Sequence, residues 1–196
     1  EFNIKPDIDL DLMRPDQSLY DIVSSISKGM RAVYRKLRPD IVLVQGDTST
    51  VFASSLSCYY EGIDVGHIEA GLRSGDNQNP FPEEINRKFV SMIAKYNFCP
   101  TLSAKENLLK EGVAPEKIFV TGNTVIDALE KILKITRSKR PSIQDIAPEF
   151  LKKDFILITG HRRENFGKRM RDVCMTIRSL AVKYAGINWL WAVHLN

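Results

Sequence analysis

The stretch PDIVLVQGDTST, residues 39–50, decides how this chain folds. Pro39 ends whatever helix precedes it. Residues 41–44, Ile-Val-Leu-Val, then form a short, wholly apolar and mostly β-branched run. Such a run is expected of a strand covered on both faces, as in a parallel sheet. Gly46 and Asp47 mark a turn, and a second helix is expected over about 49–60. Strand, polar turn and helix in succession are the repeating element of an α/β protein.

The same alternation continues on both sides. Before Pro39, the apolar positions Leu19, Ile22, Val23, Ile26, Met30, Val33 and Leu37 line one helical face. After it, 65–68 reads as a strand. Pro82 opens a helix whose buried face is expected to be Ile85, Phe89, Met92, Ile93 and Tyr96. A brief strand at 98–99, a helix at 103–111, a strand at 118–120 and a helix at 124–135 succeed it. Alternating strands and helices imply right-handed crossovers and a parallel sheet. The charged, proline-containing stretch 137–148 breaks the pattern as a loop or linker. A strand at 155–159, a helix at about 169–183 and a strand at about 188–193 then begin a second α/β unit.

The bulk properties narrow the function. The chain has 196 residues, 43% hydrophobic and 27% charged, with a net charge of +4. This mild basicity suits an anionic small molecule. It is too weak for nucleic acid, and no basic tract is interleaved with aromatics. Three scattered cysteines, Cys58, Cys99 and Cys174, argue for buried reduced thiols rather than disulfides. No apolar segment approaches about 18 residues, and no signal peptide, no membrane partner and a cytoplasmic location are expected. The first residue is not Met, and the last comes directly after an apolar run, so both ends are expected to be cut.

Ligands of open parallel sheets sit outside the carboxyl ends of the strands. Those ends here read Gly46-Asp47-Thr48, Glu69-Ala70-Gly71, Pro100-Thr101, Gly122-Asn123-Thr124 and Gly160-His161-Arg162-Arg163-Glu164. Asp47 reads either as a helix N-cap or as a carboxylate facing the crevice. Glu69 favours the crevice, because Glu is a poor N-cap. Glu83 and Glu84 sit in a first helical turn, where the helix dipole favours acids; Pro80 and Pro82 also suit a carboxylate held in a fixed place. His67 reads as a core histidine, His194 is open, and His161 stands where it meets a ligand. The three histidines are too far apart for a metal site. Walker, dinucleotide and nucleophile-elbow motifs are missing. The residues alone therefore give a two-domain α/β protein with acids, a His and several Arg at a crevice, without naming a reaction.

Five segments carry a resemblance: DIVLVQGDTST (40–50), VGHIEAGLRSGD (65–76), PFPEEINRK (80–88), FVTGNTVIDAL (119–129) and ITGHRRENFG (158–167). In this order they resemble the non-hydrolysing UDP-N-acetylglucosamine 2-epimerases. Hydrolysing relatives usually depart from the patterns GDTxT and EAGLRxGD, both of which this chain keeps. The resemblance implies two Rossmann-like domains with parallel sheets, arranged as in glycosyltransferase-B folds, with the active site between them. Residues 1–121 would be the first domain, and 122–196 the hinge and the start of an incomplete second, UDP-binding domain. A leading strand with a GTRPE-type loop would precede Glu1, and an SGG-containing segment would come after Asn196. The resemblance also implies interconversion of UDP-GlcNAc and UDP-ManNAc through 2-acetamidoglucal, no cofactor, and a homodimer of the full-length protein. Matched position by position, Asp47, Glu69 and Glu83 are the expected acid/base and sugar-contacting carboxylates, and His161 lies near the UDP phosphates. Arg73 and Arg163 are expected to bind substrate. A hydrolysing epimerase and a non-catalytic nucleotide-sugar-binding module are the alternatives.

Overall fold

The computed structural model describes residues 4–138, 146, 149–160 and 167–193. Contacts divide the chain into two compact units, Glu1–Leu133 and Lys134–Asn196. The division falls inside a helix, whereas the boundary expected at 121/122 precedes that helix. Most of the expected linker 137–148 lies outside the described residues.

The first unit begins with α1 (Leu19–Leu37), started by a capping box. The Asp21 amide donates to Ser18 Oγ and the Ser18 amide to the Asp21 carboxylate, which satisfies two otherwise orphaned donors. Arg38 ends the helix in the left-handed conformation, φ 46°, immediately before Pro39. Then come β1 (Ile41–Gln45), α2 (Ser49–Glu61), β2 (Asp64–Ile68), α3 (Glu83–Ile93), β3 (Tyr96–Cys99), α4 (Leu102–Lys110), β4 (Ile118–Val120) and α5 (Thr124–Ser138). The four strands form one sheet in the order β1-β2-β3-β4, every pair parallel. In the second unit, β5 (Phe155–Thr159) and β6 (Asn188–Ala192) pair in parallel, connected through α6 (Lys168–Lys183). The expected fold class, α/β with parallel sheets, is therefore what the chain adopts.

Two expectations about burial are corrected. β1 is not covered on both faces: Val44 is buried with Val65 and Val51 beneath the helices, while Leu43 on the opposite face is 59% exposed. Ile41 and Phe119 share that open side. Nor does α3 bury the whole predicted stripe: Ile93 packs against the core, and Tyr96 belongs to β3 rather than to the helix. Its buried residues are Glu84, Asn86, Val90 and Ser91, whereas Met92 is 80% exposed and Phe89 meets solvent on one side and the Phe52 ring on the other. The helix is turned so that polar groups of its first two turns reach the end of β1, which leaves Phe89 and Met92 outward. Pro82 is the residue before α3 rather than its first residue. Cys58 and Cys99 are buried as expected, but Cys174 is exposed.

His67 is the core histidine expected, fully buried in β2. Its Nε2 donates to the Gly46 carbonyl at 2.8 Å, since a carbonyl can only accept. Burial is the main cause that holds its pKa down, to about 4 from 6.5. Between those values the unfolded chain binds more protons than the folded one. Stability should thus be complete above about pH 6.5 and fall as pH drops toward 4, by about 3 kcal/mol in full. Denaturant melts at stepped pH should show this slope in the parent and a flatter one in His67→Gln.

The open sheet face supports a second expectation. An exposed apolar strand at a sheet edge is a template for self-association. Leu43→Lys should lower light scattering of the concentrated 196-residue chain while leaving helix content unchanged. Scattering equal to that of the parent would show that this face does not drive association.

Candidate functional site

The carboxyl end of β1 is shaped by Gly46. Its φ of 85° lies where side chains are disfavoured, and it lets the chain turn sharply out of the sheet. Both of its backbone groups are held by β2: its amide donates to the Ile68 carbonyl at 3.1 Å, and its carbonyl accepts from His67. Asp47 is the next residue. The capping reading of Asp47 gives way, because Thr48 is the N-cap of α2 and its Oγ1 accepts from the Val51 amide. The Asp47 carboxylate instead accepts from Arg87, at 2.6 Å from one terminal nitrogen and 3.0 Å from Nε.

Glu69 leaves β2 in the left-handed conformation, φ 70°. For a non-glycine residue this costs on the order of 1–3 kcal/mol, and such strain concentrates at functional sites. The next two residues hold it there. The Ala70 amide donates to the Phe98 carbonyl at 3.0 Å. Gly71 is packed so tightly that a Cβ on it would run into the Ala104 carbonyl oxygen. The Glu69 carboxylate lies over Gly46, with Oε2 3.9 Å from where a Gly46 Cβ would stand. Half-buried, it makes no side-chain hydrogen bond among the described residues.

The first turns of α3 complete the group. Glu84 is fully buried and accepts from the backbone amides of Ser74, at 3.0 Å, and Gly75, at 3.3 Å, and from Arg87 at 3.0 Å. Burial pushes its carboxyl up, but these donors outweigh it and lower the pKa. Asn86 donates from Nδ2 to the Asp47 carbonyl at 2.9 Å. Glu83 lies four residues before Arg87, so both occupy one face of the helix, the face that meets Asp47. It is half-buried and makes no side-chain hydrogen bond among the described residues. At the same end of the sheet, Gln45 Nε2 donates to Thr124 Oγ1 at 2.9 Å, tying the start of α5 to the end of β1.

The fold thus gathers Asp47, Glu69 and Glu83 at one end of the sheet. Arg73, expected as a ligand contact, is engaged by partners within the chain. Its guanidinium forks onto Glu111 at 2.8 and 2.7 Å and donates to Ser91 Oγ, with the side chain only 7% exposed. His161, Arg162, Arg163 and Glu164 lie outside the described residues, as does His194. Arg87 and Asn86 are not among the residues expected from the sequence, and Glu84 is expected only as a first-turn acid. The one local signal for this group is the i, i+3 spacing of Glu84 and Arg87. The bond from Arg87 to Asp47 spans 40 positions and has no local signature. Among the described residues no cluster of three or more His, Cys, Asp or Glu is arranged to hold a metal, and no helix is long and apolar enough to cross a membrane.

Comparison with known proteins identifies the lineage. The family model for UDP-N-acetylglucosamine 2-epimerase matches residues 1–196. The UDP-N-acetylglucosamine 2-epimerase of Escherichia coli (strain K12) is 43% identical over 199 residues, covering 100% of this chain and 53% of its own length. Among solved structures, the Neisseria meningitidis UDP-GlcNAc 2-epimerase bound to UDP-GlcNAc is 44% identical with a TM-score of 0.86, over 98% of this chain and 53% of that one. The Methanocaldococcus jannaschii UDP-GlcNAc 2-epimerase, in complex with UDP-GlcNAc and UDP, is 36% identical with a TM-score of 0.85, over 98% and 52%. The chain spans about half the length of these relatives. Since the match runs from its first residue to its last, the chain belongs to the UDP-N-acetylglucosamine 2-epimerase family.

Proposed function

We propose that the protein is an isomerase that interconverts UDP-GlcNAc and UDP-ManNAc by the non-hydrolysing route. The observation that carries the proposal is the gathering of Asp47, Glu69 and Glu83 at one sheet end, two of them with no side-chain partner among the described residues. Inverting C2 needs a group to remove its proton from one face and another to return a proton to the opposite face. The C2 hydrogen is not next to a carbonyl and is only feebly acidic. Its removal is therefore coupled to a leaving group. A carboxylate takes the C2 proton, the C–H electrons form the C1=C2 bond, and the C1–O bond breaks with its electrons leaving on UDP. The product is 2-acetamidoglucal. In return, the UDP oxygen bonds to C1 and a carboxylic acid protonates C2 from the other side.

Glu69 and Glu83 are the proposed proton carriers, since their oxygens are not engaged by the described residues. Asp47, held by Arg87, is the proposed sugar contact and charge-positioning group. Arg73, held in place by Glu111 and Ser91, is proposed as a substrate contact on the strength of the EAGLRSGD resemblance. His161 and Arg163 are proposed for the phosphate side on the strength of the ITGHRRENFG resemblance. That resemblance also adds a homodimer and independence from any cofactor to the proposal.

Anomeric-proton NMR of UDP-GlcNAc incubated with protein of the relatives' length tests this directly. UDP-ManNAc should appear without net loss of UDP-sugar. Free N-acetylmannosamine with UDP would establish the hydrolysing reaction instead, and no turnover would leave a binding module. Glu69→Gln, Glu83→Gln and Asp47→Asn should each lower kcat by roughly 10²-fold or more. Only Asp47→Asn should also lower Tm, because it alone takes a charged partner from Arg87. Parental rates in all three would refute the mechanism.

Solvent exchange gives an independent check. Product formed in D₂O should carry deuterium at C2, because the proton removed is not the one returned. Product that keeps its original hydrogen there would argue for direct transfer.

A further inference from the structure

His67 has no part in the proposed chemistry, yet its ring is placed at the hinge of the site. It is fully buried and shares its sheet face with Val44 and Asn97, its register partners in β1 and β3. Nε2 donates to the Gly46 carbonyl, and Nδ1 has no partner among the described residues. The neighbouring Asn97 has neither side-chain polar atom paired among them. A buried polar group left unpaired costs about 1–3 kcal/mol. A leucine or valine would fill this position in a parallel strand without that cost.

What the ring achieves is a clamp. The Gly46 amide is taken by the Ile68 carbonyl and the Gly46 carbonyl by His67, so consecutive residues of β2 grip both sides of one peptide turn. The residue after Gly46 is Asp47. The residue after Ile68 is Glu69, whose carboxylate lies over Gly46. The turn that aims one carboxylate is thereby fastened to the strand that delivers the other. Gly46 needs such fastening: with φ 85° and no side chain, it is the most freely rotating point between β1 and Asp47.

We propose that His67 is a positioning residue for the reaction: its Nε2–H locks the Gly46 turn and so fixes Asp47 relative to Glu69. The proposal rests on the carboxylate roles given under the proposed function. The ring never needs to carry charge. Its buried surroundings keep it neutral, and the Gly46 carbonyl selects the tautomer protonated at Nε2, leaving Nδ1 bare. Arg73, Arg87 and Asp47 are the charged groups that act on it.

The test uses two amides of different reach. The side-chain nitrogen of His67→Gln can occupy the place of Nε2, whereas that of His67→Asn falls near Nδ1 and cannot reach Gly46. In protein of the relatives' length, His67→Asn should lower kcat roughly 10-fold or more with KM little changed. His67→Gln should recover most of kcat. His67→Asn leaves the Gly46 carbonyl unpaired and should lose more Tm, so kcat is compared well below both melting transitions, where equal kcat in the two variants would overturn the proposal. A second measurement does not depend on either variant folding. In ¹⁵N-labelled parent protein, the His67 ring should show a protonated Nε2 and a bare Nδ1 throughout about pH 6–8; a protonated Nδ1 would also overturn it. Parent protein that does not epimerise at all would refute the proposed function itself, an outcome visible before any variant is made.

Discussion

The guanidinium of Arg87 lies between two carboxylates from distant parts of the chain, that of Asp47 at the end of β1 and that of Glu84 on its own helix. Glu84 is completely enclosed, and a buried carboxylate without partners would cost several kcal/mol. It has three: the Ser74 and Gly75 amides and Arg87. Through these contacts the loop after β2, the first turns of α3 and the turn after β1 become one body. Removing the cation would leave a buried charge uncompensated, a loss on the order of 3–5 kcal/mol. The position of Asp47, and of Glu83 one turn ahead of Arg87, depends on this ion network.

The network also explains why α3 leaves Phe89 and Met92 of its apolar stripe exposed. A helix with Ile85, Phe89 and Met92 on one side would ordinarily turn that side inward. Here Glu84, Asn86 and Arg87 reach the sheet end instead, and satisfying them outweighs hiding Met92. The helix still contributes Val90 and the adjoining Ala94 to the core with Val65 and Cys58. The same trade appears at Glu69, whose backbone is held in an unfavourable region by the packed Ala70-Gly71 turn. Local preference yields at several neighbouring points, and all of them border the gathered carboxylates.

The 39–50 stretch is enough to read strand, turn and helix, and 118–120, 155–159 and the helix from 124 are legible in the same way. Apolar runs of the right length, punctuated by Gly and Pro, carry that information within a few residues. The strand-end clusters are legible as well, because polar residues directly after a buried strand have few other uses. The role of Arg87 is not legible, nor the burial of Glu84 in a fully closed position. Both depend on partners about ten to forty residues away.

The sequence by itself determined the succession of strands and helices, the parallel sheets and the family, since periodicity, punctuation and five ordered motifs are local properties of the chain. Only the tertiary structure decided that Thr48 rather than Asp47 caps α2 and that Arg73 is bound to Glu111. The physical reason is that a hydrogen bond or an ion pair is chosen by competition among all groups within about 3 Å. Which groups those are is fixed by how helices rotate and strands register, and no window of neighbouring residues contains it.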